Sequence, residues 1–351
     1  MGENQRMDDR FSRQLALPGF GASAQQRLAD ARVLVIGAGG LGSSVIPALA
    51  AAGVGTLGIV DDDRVELSNL HRQLVHVGRL GEAKARSAAT AAEAFGATTV
   101  VVEERLTSAN ALELFREYDL VVDGSDNFPT RYLANDAAVL AGVPLVWGAV
   151  SQYGGQAGVS LGTTYRDLFP TPPPPGSVLS CEVGGVLPST VAVIGAIMSG
   201  EAIKLLTGVG EPLIGRVTVY DGLTGVFREL RYEKDPEAAP IEELIDYELF
   251  CGMKNSLTPG ELAQLTGITL LDVREPWEAE IAALPGSVLV PLGQLDEFEG
   301  DPAQPVVVYC HHGVRSATAR DQLEARGYAA SHLAGGIDAW ARDRDPDMAR
   351  Y

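Results

Sequence analysis

The segment Val306 to Arg320 places Cys310 between an apolar run, V-V-V-Y, and a short loop, H-H-G-V-R, that ends where a helix-forming stretch begins. A cysteine delivered there meets free backbone N–H groups and the positive end of the following helix, and Arg315 adds a full positive charge, so an anionic sulfur is favoured over a neutral thiol. The chemistry available to such a group is nucleophilic sulfur chemistry, through thiolate or persulfide. A lone cysteine closing a strand is otherwise a core residue. Gly313 and Arg315 argue against that reading here. His311 and His312 adjoin the cysteine, and as loop neighbours they are expected to point in different directions, one of them into solvent.

A second constellation lies near the other end of the chain. Gly37, Gly39, Gly40 and Gly42 follow the apolar run R-V-L-V-I and open a helical stretch, an arrangement that lets backbone approach a phosphate at a helix N-terminus. Asp61 ends the next apolar run, where an acid can hold a ribose, so these residues alone fit a nicotinamide dinucleotide equally well. Downstream, Asn69, Arg72 and Gln73 in S-N-L-H-R-Q and Lys84 in G-E-A-K supply two cations and two amides, more than a ribose needs and suited to a triphosphate. Asp126, in D-G-S-D-N, would repel phosphates unless a metal intervenes, which makes it a candidate Mg²⁺ ligand; capping the helix that starts near Phe128 is the plainer role.

The elements that must position these groups follow from the periodicity. Apolar strands alternate with helical patterns from Arg32 to about Val150, which implies βαβ units and a largely parallel sheet. A Pro-rich stretch, Thr171 to Gly176, reads as an extended loop; Gly184 to Gly208 then reads as a long helix with a glycine stop, and residues 216–230 as a two-stranded hairpin. Residues 1–240 form one expected domain, 241–256 a linker, and 257–351 a smaller α/β domain in which Trp277 and Trp340 are expected to fill the core. The formal net charge of −19 argues against general nucleic-acid binding, and the apolar stretches are interrupted before they could span a bilayer. A cytoplasmic protein is expected. Its three cysteines form no C-x-x-C pair, so neither a disulfide framework nor a cysteine zinc site is expected, and Cys251 is read as buried and inert.

The C-terminal loop resembles the rhodanese active site rather than a phosphatase loop, whose Cys-x5-Arg spacing is one residue longer than the four residues between Cys310 and Arg315. T-L-L-D-V-R-E, with Asp272 and Arg274 as a buried pair, and H-L-A-G-G-I-D-A-W extend that resemblance. From Arg10 to about Tyr232, the motifs R-F-S-R-Q, G-A-G-G-L-G, S-N-L-H-R-Q, G-E-A-K and D-G-S-D-N resemble the MoeB/ThiF family of E1-like adenylating enzymes. Together the chain is similar to the MoeZ-type adenylyltransferase/sulfurtransferases. The resemblance implies an α/β fold with a Rossmann-like E1/ThiF domain and a rhodanese domain. It also implies ATP- and Mg²⁺-dependent adenylation of a ubiquitin-like sulfur carrier ending in Gly-Gly, then sulfur transfer from a Cys310 persulfide. Its site residues would be Asp61 at the ribose, Asn69, Arg72 and Lys84 at the phosphates, and Asp126 at the metal, with Arg13 reaching the ATP of the partner subunit of a homodimer. Cys181 matches a mobile cysteine that in some relatives takes part in acyl or sulfur transfer; its alternative is a small residue leading into the next helix. Relatives carry a zinc on two C-x-x-C pairs, but the matching positions here are Thr164, Asp167, Ala238 and Ile241, so no zinc is expected and packing alone should stabilise that region. The sulfur would come from a donor such as a cysteine desulfurase or thiosulfate. It would end in molybdenum cofactor, cysteine, thiamin or thiolated tRNA. The remaining alternatives are an NAD-binding oxidoreductase with a rhodanese accessory module, and a non-catalytic carrier-binding scaffold.

Overall fold

A computed structural model describes residues 10–173, 184–251 and 255–351. Cys181 lies outside the described residues. The chain divides into two compact units, the first built from residues up to Leu168 together with the stretch that ends at Leu244, the second principally from Ile245–Tyr351.

The first unit is organised on an eight-stranded sheet in the order β3-β2-β1-β4-β5-β6-β7-β8. Strands β1 (Arg32–Ile36), β2 (Thr56–Val60), β3 (Thr98–Val102), β4 (Leu120–Asp123) and β5 (Leu145–Ser151) run parallel; the apolar runs of β1, β2 and β4 are buried as central parallel strands require, while β3 at the edge is half exposed. Antiparallel strands β6 (Gly154–Ser160), β7 (Arg216–Asp221) and β8 (Val226–Arg231) extend the sheet, the last pair being the hairpin expected from the sequence. From β1 the chain winds outward through β2 to β3, then returns to place β4 on the other side of β1. That reversal is the switch point of a doubly wound sheet, where strand C-termini leave a crevice.

Helix α1 (Gly40–Ala52) follows β1, α2 (Lys84–Glu93) precedes β3, α3 (Phe128–Ala141) follows β4, and α4 (Pro188–Thr207) packs against α1. The last of these begins at Pro188, four residues later than the sequence suggests: Gly185 has a left-handed φ of +71° and Val186 bridges Gln152, and both interrupt a helix there. It ends at Gly208 in the left-handed conformation, as expected. By length and composition α4 is long and apolar enough to cross a membrane, but half of its apolar window is buried inside this unit.

The second unit holds a five-stranded parallel sheet in the order β11-β10-β12-β13-β9, made of β9 (Ser256–Leu257), β10 (Thr269–Asp272), β11 (Val288–Leu289), β12 (Val306–Tyr309) and β13 (Ala330–Leu333). Strand β12 is central and fully buried, and it ends one residue before Cys310. Helices α5 (Pro276–Ile281), α6 (Val314–Ala325) and α7 (Gly336–Asp343) cover the sheet. Trp340 packs partly buried against Leu257, Leu262 and Leu333, whereas Trp277 stands 59% exposed, outside the core that the sequence assigned it to.

Candidate active sites

In the first unit the chemistry gathers at the switch point. The turn after β1 is shaped by two glycines: Gly37 has φ +84°, and a Cβ on Gly42 would fall 2.0 Å from the Gly37 carbonyl oxygen. That close approach draws the N-terminus of α1 down onto the end of β1, where its first N–H groups lack intrahelical partners. Asp61, at the end of β2, accepts hydrogen bonds from the N–H of Ala38 (2.7 Å) and of Asp63 (2.9 Å). Burial raises its pKa, and those two donors oppose the rise.

The cleft these elements form is lined by all of the nucleotide-site residues expected from this chain except Gly42, which instead shapes the turn. Arg72 lies with its side-chain stem against Gly40 and makes no ion pair among the described residues. Gln73 is 3% exposed, and its Oε1 has no donor among the described residues. Lys84 is held differently: its buried ammonium pairs with Asp63 at 2.7 Å. The Lys84 N–H also donates to the Asp63 carbonyl at 2.9 Å, so Asp63 links Asp61 to Lys84.

Asp126 does not cap the helix. Asn127 does, accepting from the Thr130 N–H at 2.9 Å, and this leaves the Asp126 carboxylate exposed in the cleft. The loop that carries it is tied down by Asp123, which accepts from the Ser125 N–H at 2.9 Å, and by Arg131, which donates to the Ser125 carbonyl at 3.1 Å. Among the described residues the one group of three candidate metal-ligating side chains is Asp61, Asp62 and Asp63. Two of those acids are already engaged, by backbone N–H groups and by Lys84, which leaves exposed Asp62, with Asp126 and Glu104, as the cleft carboxylates open to an oxygen-loving cation. This donor set, with Arg72 in no ion pair among the described residues, an orphaned amide oxygen and unengaged carboxylates around an open helix N-terminus, fits a magnesium-bound nucleoside triphosphate. Arg13 is exposed on a helical turn over residues 10–15 and does not line this cleft.

Sequence reasoning missed His76. It is fully buried, its Nε2 lies 2.7 Å from the Ala38 carbonyl and its Nδ1 2.8 Å from the Ser87 hydroxyl, and burial lowers its pKa. Nothing local in the sequence marks it, because its partners are 38 and 11 residues away.

At the matching zinc positions, hydrogen bonding as well as packing ties the region together, which corrects the expectation of packing alone. Asp167 accepts from the Thr164 N–H (2.7 Å) and hydroxyl (3.0 Å), and from the Asp235 N–H (3.1 Å), joining two segments 68 residues apart.

In the second unit Cys310 is 1% exposed, with its sulfur 3.1 Å from the Gly313 N–H and 3.4 Å from the Ser316 N–H. The loop is held from behind: Ile337 N–H donates to the Cys310 carbonyl (2.9 Å) and Asp338 N–H to that of His311 (3.2 Å). Only a glycine fits beneath it, since a Cβ on Gly336 would lie 2.3 Å from both carbonyl oxygens. The expected buried pair forms: Arg274 Nε donates to Asp272 at 2.8 Å, and the Tyr309 hydroxyl donates to the same carboxylate at 2.8 Å. Burial pushes the pKa of Tyr309 up to about 12.

Two expectations change. The rings of His311 and His312 do not diverge but stack at 3.9 Å, with Tyr351 on the other face of His311 at 4.2 Å. The charge of Arg315 is not free, because Glu278 binds it in a two-point ion pair at 2.6 and 2.7 Å. Those bonds hold the Glu278 pKa down to about 2. Cys251 is 4% exposed, buried as expected.

A doubly wound sheet with an anion-ready crevice, joined to a domain that buries a cysteine in a cradle of N–H groups, defines a nucleotide-dependent activating enzyme coupled to sulfur transfer. The ThiF family model matches residues 11–240 and the Rhodanese-like domain model residues 258–343, and the chain belongs to the ThiF family with a C-terminal rhodanese-like domain. It is 47% identical to the probable adenylyltransferase/sulfurtransferase MoeZ of Mycobacterium tuberculosis, over 97% of this chain and 95% of the relative. The sulfur carrier protein adenylyltransferase of Thermus thermophilus is 50% identical, covering 70% of this chain and 97% of the relative. The crystal structure of E. coli MccB with ATP shares the fold at a TM-score of 0.58 and 20% identity, covering 66% of this chain and 74% of that one.

Proposed function

We propose that this enzyme adenylates the C-terminal glycine of a ubiquitin-like sulfur carrier and converts it to a thiocarboxylate. The observation that carries the reading is the switch-point cleft, which Arg72, Lys84, Asn69, Gln73, Asp61 and Asp126 line together. An NAD-binding oxidoreductase would leave Arg72, Lys84 and Asp126 without a task.

A carboxylate oxygen of the carrier attacks the α-phosphorus of ATP, the bond to the β-phosphate oxygen breaks, and pyrophosphate leaves. Asp61 orients the ribose. Arg72 and Lys84 offset the charge that moves onto the pyrophosphate, and the N–H groups at the start of α1 hold phosphate oxygens. Asp126 would hold Mg²⁺, which when bound draws electron density from the phosphate oxygens. The resulting acyl-adenylate is electrophilic at its carbonyl carbon.

The terminal sulfur of a Cys310 persulfide then attacks that carbon and AMP leaves, giving an acyl disulfide on Cys310. A thiol, from Cys181 or an external reductant, attacks the Cys310 sulfur; the carrier thiocarboxylate leaves as a new disulfide forms, to be reduced by a further thiol. The Gly313 and Ser316 N–H groups stabilise the anionic sulfur. Placing both chemistries in one chain raises the effective concentration of one at the other.

The active form in this reading is a cytoplasmic homodimer that needs neither nucleic acid nor membrane, with Arg13 completing the cleft of the partner subunit. Supporting it, Leu67, Leu74, Val77 and Leu80 are each more than half exposed on the segment that carries Arg72, a concentration of apolar side chains that calls for a cover. A cysteine desulfurase or thiosulfate supplies the sulfur, and no structural zinc takes part. The test is exchange of labelled pyrophosphate into ATP with Mg²⁺ and candidate carriers ending in Gly-Gly. Carrier-dependent exchange is expected, and its absence with every such carrier overturns the reading.

A further inference from the structure

We infer that His76, which does not itself line the cleft, is a positioning residue that fixes which way the phosphate-binding turn presents its backbone; the inference rests on the adenylation reading. The peptide that matters joins Ala38 to Gly39. It sits in a Gly-Ala-Gly sequence, so glycine on either side of Ala38 leaves that peptide nearly free to rotate as a unit. One orientation puts an N–H toward the cleft. The other puts a carbonyl oxygen there, facing phosphate oxygens with like partial charge.

The structure holds the first orientation from behind. The Ala38 carbonyl can only accept, so the His76 nitrogen 2.7 Å from it, Nε2, carries the proton. Nδ1 then accepts from the Ser87 hydroxyl at 2.8 Å, which sets the tautomer. Asp61 pins the same residue from its other end by accepting the Ala38 N–H at 2.7 Å. In a trans peptide the C=O and the next N–H point in opposite directions. With the Ala38 carbonyl directed at a fully buried imidazole, the Gly39 N–H is directed away from it, and Gly39 lines the cleft. No acceptor for that N–H is found among the described residues, as befits a donor reserved for a ligand.

His76 and Ser87 also tie the turn to α2, whose first residue is Lys84. The backbone donor and the lysine of the phosphate site are therefore held in one hydrogen-bonded unit, Asp61–Ala38–His76–Ser87 on one side and Asp61–Asp63–Lys84 on the other.

The test compares His76→Gln with His76→Asn, measuring the binding of a non-hydrolysable ATP analogue with Mg²⁺ and of adenosine by calorimetry. A glutamine amide reaches the place of Nε2 and an asparagine amide that of Nδ1. His76→Asn is expected to bind the ATP analogue about tenfold more weakly, the cost of a lost buried hydrogen bond, with adenosine unchanged. His76→Gln should stay within about threefold of wild type for both. An independent reading on the wild type is the Gly39 amide resonance, expected to shift with the ATP analogue and not with adenosine. Equal affinities of His76→Asn and wild type, an equal loss for adenosine and the ATP analogue, or a Gly39 amide indifferent to the phosphates each overturns the inference. A wild type that binds no ATP analogue overturns the adenylation reading along with it.

Discussion

On the proposed reading both sites hold an anion, and they are built for it in opposite ways. The nucleotide cleft is open and incomplete: Arg72 has no ion-pair partner among the described residues, Gln73 has an orphaned oxygen, and Asp126 is exposed. The sulfur loop is closed and satisfied, with Cys310 1% exposed, donors already aimed at its sulfur, and Arg315 neutralised by Glu278. A site for a diffusible substrate keeps charges waiting for it. A site whose anion is built into the chain can satisfy its donors before any substrate arrives, and needs only to admit a second sulfur.

The sharpest break of that comparison is Cys310→Ala. If the loop serves only sulfur transfer, this variant should lose thiocarboxylate formation by more than about a thousandfold, as loss of a nucleophile does. Carrier-dependent pyrophosphate exchange should remain at the wild-type rate, and a fall in exchange would mean that the cysteine acts earlier than assigned. The complementary change is Arg72→Ala, expected to slow pyrophosphate exchange by roughly a hundredfold by removing one fixed donor to developing charge. Persulfide loading of Cys310, followed by mass spectrometry, should be unaffected. Loss of both would show that the arginine supports the fold rather than the phosphates.

What could be read in advance was local. The glycine turn, Asp61 and the Cys310 loop each sit where a strand gives way to a turn, and strand periodicity with glycine spacing marks such places within a few residues. What escaped was set by partners far off in sequence. His76 is tied to Ala38 and Ser87, and Arg315 to Glu278, 37 residues away. The misplaced Trp277 has the same origin: α5 turns Glu278 inward to meet Arg315, and one residue back, about 100° around the helix, tryptophan is turned out to solvent. An ion pair overrode hydrophobicity. As loop neighbours, His311 and His312 are expected to point apart with one in solvent; His312 is exposed, but the two rings stack on one another at 3.9 Å.

The Glu278–Arg315 pair gives the smallest effect and the finest distinction, because it separates the stability of the sulfur loop from its chemistry. Glu278 is held at a pKa of about 2 in the folded state against an ordinary value of 4.5. A depressed carboxylate pKa stabilises the fold above the unfolded value, and that contribution drains away as pH falls through the folded one. The wild type should therefore melt above Glu278→Gln by a constant margin down to about pH 4.5, and the margin should shrink toward pH 2. Scanning calorimetry of both proteins across that range measures it. A margin that does not change with pH would mean that Glu278 holds the loop by shape and hydrogen bonding alone. The nucleotide cleft, in the other unit, should keep its pyrophosphate exchange at neutral pH in this variant, since a charge removed from the closed site leaves the open one as it was.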